Sequence, residues 1–207
     1  MQIIDLKKDK LHLTRVFLSD GSEILLDNDV VYEKSLKKGL EIDEKYLEEL
    51  SFQSDYARAK SRAVWYLDRS AHTEKGLYEK LVRAGFSKKA CAKVIARFIE
   101  VGLLDDRRFA ETLAERLMEA NVSKRQAVQK MLIKGVPYNL AKEVLEETET
   151  DEQTQIQNLI EKKYRNKLQQ ENGAKKVFEA LVRKGFSFSA VREALKSYIE
   201  ELEEEYV

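Results

Sequence analysis

The sequence predicts a mostly α protein: a tandem array of three three-helix repeats, elongated and curved, preceded by a small N-terminal extension that contains a β-hairpin. Three observations lead there. Gly85, Gly135 and Gly185 stand fifty residues apart, each just past an apolar helical stretch. The same shift maps Leu81 onto Met131 and Leu181, Val82 onto Leu132 and Val182, Phe86 onto Val136 and Phe186, and Ile95 onto Leu145 and Leu195. The composition, 43% hydrophobic and 36% charged with one proline, suits thin helical layers rather than one deep core or a turn-dense β fold. Agreement between the copies is confined to apolar and glycine positions, so the repeat specifies a packing scaffold, and function is sought in what differs.

Residues 1–50 lie outside the repeat. Segments 10–18 and 22–26 are β-like and flank Ser19-Asp20-Gly21, a good hairpin turn. Asp27-Asn28-Asp29 resembles part of a metal loop but lacks the glycine and distal glutamate of a calcium site, so it reads as turn chemistry. Gly39 and the acidic stretch to Ser51 read as a short helix.

The first repeat, 51–104, starts with a helix capped by Ser54 or Asp55 and running to about Arg69, with Tyr56, Ala59, Ala63, Val64 and Leu67 facing inward. A second helix from Glu74 stops at Gly85, where glycine accepts the left-handed conformation and Phe86 folds back onto the helix end. Ser87 caps the third helix, whose inner stripe is Cys91, Val94, Ile95 and Phe98. The second repeat, 105–150, opens at Asp105, carries a Ser123-x-x-Gln126 capping box and breaks at Gly135-Val136-Pro137, where proline starts the next helix. Its stripe is Phe109, Leu113, Leu117, Met131, Leu132, Val144 and Leu145. Residues 148–151 read as a hinge. The third repeat, 151–207, buries Ile156, Leu159, Ile160, Val177, Phe178, Leu181, Val191, Leu195 and Tyr198, and its acidic tail, 200–207, is expected to fray.

Several function classes are disfavoured. No apolar run approaches the roughly 18 residues of a membrane helix, and the N-terminus resembles neither a signal nor a transit peptide. With Cys91 as the one cysteine, no internal disulfide forms, which fits a reducing cytoplasm. His12, expected in a strand, and His72, in a loop, have no metal-site spacing around them, and phosphate-loop, dinucleotide-binding and nucleophile-elbow motifs are missing. No metal, cofactor or catalytic residue is expected; Cys91 sits on an apolar stripe and reads as a buried structural thiol.

Charge is zero overall, with 37 basic and 37 acidic residues, yet residues 51–104 hold 11 basic against 5 acidic, a net of 11 − 5 = +6. That segment can face phosphates or an acidic protein surface, or be a solvated helix face. Lys89, Lys93 and Arg97 fall at i, i+4 and i+8 with Lys88 beside them, on the second helix of a helix-turn-helix arrangement that includes Arg83. This helix lacks the asparagine or glutamine that reads adenine, so backbone contact is favoured over base reading. Arg107, Arg108, Lys124 and Arg125, with Lys130 and Lys134, form a second basic set among Glu111, Glu115 and Glu119; surface ion pairs account for it equally well.

LVRAGFS from Leu81, LVRKGFS from Leu181 and LLDDRRFAE from Leu103 together resemble the RecX family of regulators of the bacterial recombinase RecA, and the likeness covers essentially the whole chain. Asp105 and Asp106 suit a helix start and Phe109 the packed face, so these read as structural, like the three repeat glycines. The resemblance implies a non-enzymatic protein that lies in the groove of the RecA filament on single-stranded DNA and restrains ATP hydrolysis, strand exchange and coprotease activity; it is expected to be a monomer, in the cytoplasm that the single cysteine suits. Arg83, Lys88, Lys89, Lys93, Arg97, Arg107, Arg108, Lys124 and Arg125 are then the candidate contacts to filament or DNA. A neutral chain implies weak, salt-dependent affinity for free DNA, and the N-terminal extension reads as a stabilising cap. The rival readings are a duplex-binding helix-turn-helix transcription regulator and a repeat scaffold for some other protein.

Overall fold

The first fifty residues form a small antiparallel sheet and its cover. In the computed structural model the described residues are 1–9 and 12–205, with side chains described as far as 196. Strands β1 (Ile3–Lys8), β2 (Leu13–Leu18) and β3 (Glu23–Asp27) pair in the order β1-β2-β3. The expected turn joins β2 to β3, with Gly21 at φ +83°. β2 alternates cleanly, turning Thr14, Val16 and Leu18 inward. β1 was not foreseen, because a register shift between Ile3 and Asp5 breaks its alternation. His12 lies in the turn before β2 and not in a strand.

Asp27 caps α1 (Asn28–Glu33), its carboxylate accepting from Asp29 N at 2.9 Å, so the acidic triplet is turn chemistry as expected. Helix α2 (Glu44–Leu67) corrects the sequence reading: it is one 24-residue helix capped by Asp43, where two helices meeting near Ser54 were expected. Neither glycine nor proline interrupts it, and the two residues taken for caps bond elsewhere. Ser54 is buried and its hydroxyl accepts from Asp27 N at 2.7 Å, while the Asp55 carboxylate accepts from Ser87 N at 2.8 Å. One helix thereby serves two cores. Leu50 joins Ile3, Val16, Leu18, Leu26 and Val30 beneath the sheet; Ala59 and Ala63 join Leu77, Leu81, Cys91, Val94 and Phe98. Val64, expected inward, is 41% exposed.

Helices α3 (Glu74–Arg83) and α4 (Lys88–Glu100) complete the first triplet. Gly85 has φ +92°, Gly85 N donates to Val82 O at 3.0 Å and Phe86 N to Leu81 O at 3.3 Å, the paired bonds of a Schellman ending. Ser87 then caps α4, accepting from Ala90 N.

Contacts divide the chain into Met1–Asp105 and Asp106–Val207. The second unit holds α5 (Asp106–Glu119), α6 (Lys124–Ile133) and α7 (Tyr138–Glu147) around Ala114, Leu117, Met131, Val144 and Leu145. Asp105 immediately precedes α5, and Pro137 starts α7 as read from the sequence. The last triplet begins with α8 (Glu152–Leu159), which passes through a π-turn (Ile160–Tyr164) into the short α9 (Arg165–Leu168); α10 (Gly173–Arg183) and α11 (Phe188–Glu205) follow. Ile156, Ile160, Val177, Leu181 and Val191 fill its core. The π-turn was not foreseen. The Tyr198 side chain and residues 206–207 of the tail fall outside the described residues.

Gly135 and Gly185 repeat the Gly85 ending with φ of +93° and +87°. At Gly185 space matters as well as φ: a Cβ there would stand 2.9 Å from Arg125 Cβ and 2.9 Å from Ser123 Oγ. The Ser123 hydroxyl donates to Lys184 O while accepting from Gln126 N at 3.3 Å, which ties the start of α6 to the end of α10.

Candidate nucleic-acid interface

All nine cationic side chains singled out from the sequence are exposed, but the fold puts them to different uses. In the first unit the line on α4 does not project as a free comb. The Lys89 ammonium sits 4.8 Å from the Phe52 ring centroid, and that of Lys93 sits 5.2 Å from Phe52 and 5.0 Å from Tyr56. Both ammoniums thus lie over aromatic rings of α2, an attraction to the ring quadrupole that leaves the charge on the surface. Arg97 pairs with Glu100 at 3.0 Å, and Arg83, at the end of α3, reaches Glu79 at 3.8 Å. Lys88 opens α4 beside Lys89.

In the second unit Arg107 is the hub of an ion-pair cluster. It donates to Glu111 at 3.0 Å, Glu143 at 2.6 Å and Glu147 at 2.7 Å, joining α5 to α7. The hydrogen bond it donates to Glu143, then that to Glu147, hold its guanidinium well above an already high ordinary pKa. The cluster stands where the other repeats have a different clasp. In the first, Asp55 accepts from Ser87 N; in the third, Glu152 accepts from Ser187 N at 2.8 Å and from its hydroxyl at 2.7 Å. Pro137 occupies the matching cap and has no N–H to give. Lys124 Nζ donates to Thr148 O at 3.1 Å, and Arg125 packs beside Gly185. Arg108 is exposed on α5.

Two cationic surfaces went unremarked in the sequence. The outer face of α2 carries Arg58, Arg62 and Arg69 around Trp65, whose ring is 42% exposed; the Arg69 and Arg62 guanidiniums lie 3.5 and 5.4 Å from its centroid. In the third triplet, residues 162–176 contain Lys162, Lys163, Arg165, Lys167, Lys175 and Lys176 against one acid, Glu171. They lie on the π-turn, α9 and the start of α10, and all except half-buried Lys167 are exposed. The signals were available: an aromatic among arginines on a helix face, and a short basic run.

Cys91 is fully buried, and desolvation followed by the nearby Asp55 charge raises its thiol pKa. Among the described residues no group of three or more His, Cys, Asp or Glu is placed to hold a metal ion, and no helix is long and apolar enough to cross a membrane.

Helical triplets closed by the same glycine turn, behind a small sheet and with cations on several faces, define a tandem-repeat helical protein. Comparison with known proteins agrees with that class. The chain is similar over residues 59–98 to the family described as "RecX, first three-helix domain" and over 150–195 to "RecX, third three-helix domain". It is 26% identical over 200 residues to regulatory protein RecX of Clostridium tetani, covering 96% of this chain and 92% of that one. Regulatory protein RecX of Streptococcus sanguinis is 25% identical over 190 residues, covering 91% and 73%. Among solved structures, a crystal structure of regulatory protein RecX superposes with a TM-score of 0.68 at 23% identity, covering 95% of this chain and 98% of that one. RecX from Lactobacillus salivarius gives 0.62 at 21%, covering 69% and 96%; these two likenesses concern the fold. Two of its helical triplets thus match RecX domains, and along nearly its whole length the chain is similar to proteins named regulatory protein RecX.

Proposed function

We propose that this protein is a non-enzymatic regulator of RecA that binds in the groove of the RecA filament on single-stranded DNA and restrains ATP hydrolysis, strand exchange and coprotease activity. The observation that carries the reading is the match of its first and third helical triplets to RecX domains. The cationic surfaces support it: a filament on DNA offers acidic side chains and phosphates, and many modest contacts sum without any single deep pocket. Only a difference in affinity between filament states can shift their populations, so the protein acts by binding the less active arrangement better. Action as a monomer in the cytoplasm belongs to the same proposal.

The duplex-reading alternative is weakened by α4 itself. Its Lys89 and Lys93 lie over Phe52 and Tyr56 of α2, so the helix is not presented as a separate reading element for a groove. The test is RecA ATP hydrolysis on single-stranded DNA with increasing amounts of this protein. The rate is expected to fall to a plateau; an unchanged rate at saturating protein overturns the proposal.

A further inference from the structure

We propose that the groove between the N-terminal sheet and α2 is a binding site for an unpaired nucleotide of single-stranded nucleic acid, with Trp65 as the stacking surface. The inference rests on the nucleic-acid part of the reading above and gives it a place in the molecule; its test contains no recombinase, so the two fail separately.

The groove has a volume of about 720 Å³ and lies wholly in the first unit. One wall is α2, contributing Arg58, Arg62 and Trp65; the other comes from the start of β2 and the β3–α1 junction, with Asn28 and Asp29; Phe86 also lines it. Trp65 is the one tryptophan of the chain and stands exposed on the outer face of α2. Its indole is held among guanidiniums by Arg69 and Arg62, and Arg58 lies 5.6 Å from the Phe86 centroid. Stacked arginine and aromatic planes are the surfaces on which unpaired bases lie, and the same guanidiniums pair with the flanking phosphates.

The opposite wall decides between occupants. Asn28 and Asp29 line the groove with the arginines, the Asn28 Oδ1 already accepting from Thr14 Oγ1 at 2.7 Å and Asp29 adding an exposed carboxylate. An acidic peptide would meet like charge there, whereas the exocyclic amino groups of bases find acceptors. A purely apolar helix would leave the arginines without partners. A duplex keeps its bases stacked inside and offers no face to the indole. The small sheet therefore contributes a wall of the site.

The full-length chain carries its own reporter. Titrating it with a short single-stranded oligonucleotide while following tryptophan emission should give saturable quenching. An abasic strand of equal charge and a duplex should each bind at least about tenfold more weakly. With a labelled oligonucleotide, Trp65→Ala should weaken binding by about tenfold, Trp65→Phe should restore most of it, and Arg62→Ala should weaken it further in low salt than in high. No quenching overturns the proposal. So does equal binding of the abasic strand, the duplex or polyglutamate, or oligonucleotide binding that survives Trp65→Ala unchanged.

Discussion

Alanine at Gly85 and at Gly185 should have unequal costs although the two positions match in sequence. Both have left-handed φ, +92° and +87°, and both end a helix with the same pair of backbone bonds into residues 81–82 and 181–182. Placing a Cβ in that conformation costs about 1–2 kcal/mol. At Gly85 nothing lies within 4 Å of the added carbon, so the conformational term is the whole effect. At Gly185 the carbon would stand 2.9 Å from Arg125 Cβ and 2.9 Å from Ser123 Oγ. Neither is the loose end of a long side chain, and displacing Ser123 disturbs both its bond to Lys184 O and its cap on α6. Overpacking adds about 1–3 kcal/mol, for about 2–5 kcal/mol in all. Urea unfolding followed by far-ultraviolet circular dichroism measures both variants, with unchanged slope as the sign that stability alone has moved. Equal losses, or a larger loss at Gly85, would refute the close approach of α6 and α10.

Three further outcomes are expected. Asp55→Ala and Glu152→Ala should each cost about 1 kcal/mol in the same urea assay, because each removes the carboxylate that accepts from the capping serine of a third helix. Arg107→Ala should lower the melting temperature, with the deficit shrinking as salt is raised, since its three carboxylate partners are solvent-exposed and screened. The raised Cys91 pKa means that the native chain keeps a proton that the unfolded chain has released. Its contribution is complete below the ordinary thiol pKa and is lost as pH rises toward the folded one. Urea midpoints from pH 7 to 10 should therefore decline less steeply in Cys91→Ala than in the unsubstituted protein.

The repeat was legible because it is written in local chemistry: glycine in a left-handed turn, serine at Ser87 and Ser123, and apolar residues at helical spacing need no knowledge of distant partners. The continuity of α2 was hidden because Ser54 has the chemistry of a cap, and only a partner 27 residues away, Asp27 N, shows where its hydroxyl goes. β1 was hidden by its register shift. Summed charge concealed the basic run at 162–176, since the five glutamates of 200–207 cancel it. For Arg107 the sequence left surface ion pairs and partner contact both open, and its long-range ion-pair partners were beyond reach of local spacing. Its three acceptors come from Glu111, one turn away, and from Glu143 and Glu147, 36 and 40 residues further along. The Trp65 cluster was missed because Val64, its neighbour, was read as facing the core; both are exposed, and the indole lies among arginines of the same helix and its C-terminal end.

Binding to the filament is tested most directly by sedimentation. RecA assembled on long single-stranded DNA is pelleted with this protein, beside a triple variant in which Arg83, Lys88 and Lys89 are replaced by glutamate. The unsubstituted protein should pellet in saturable proportion to RecA and the variant at least about tenfold more weakly. Protein that stays in the supernatant at saturating filament would contradict the assignment.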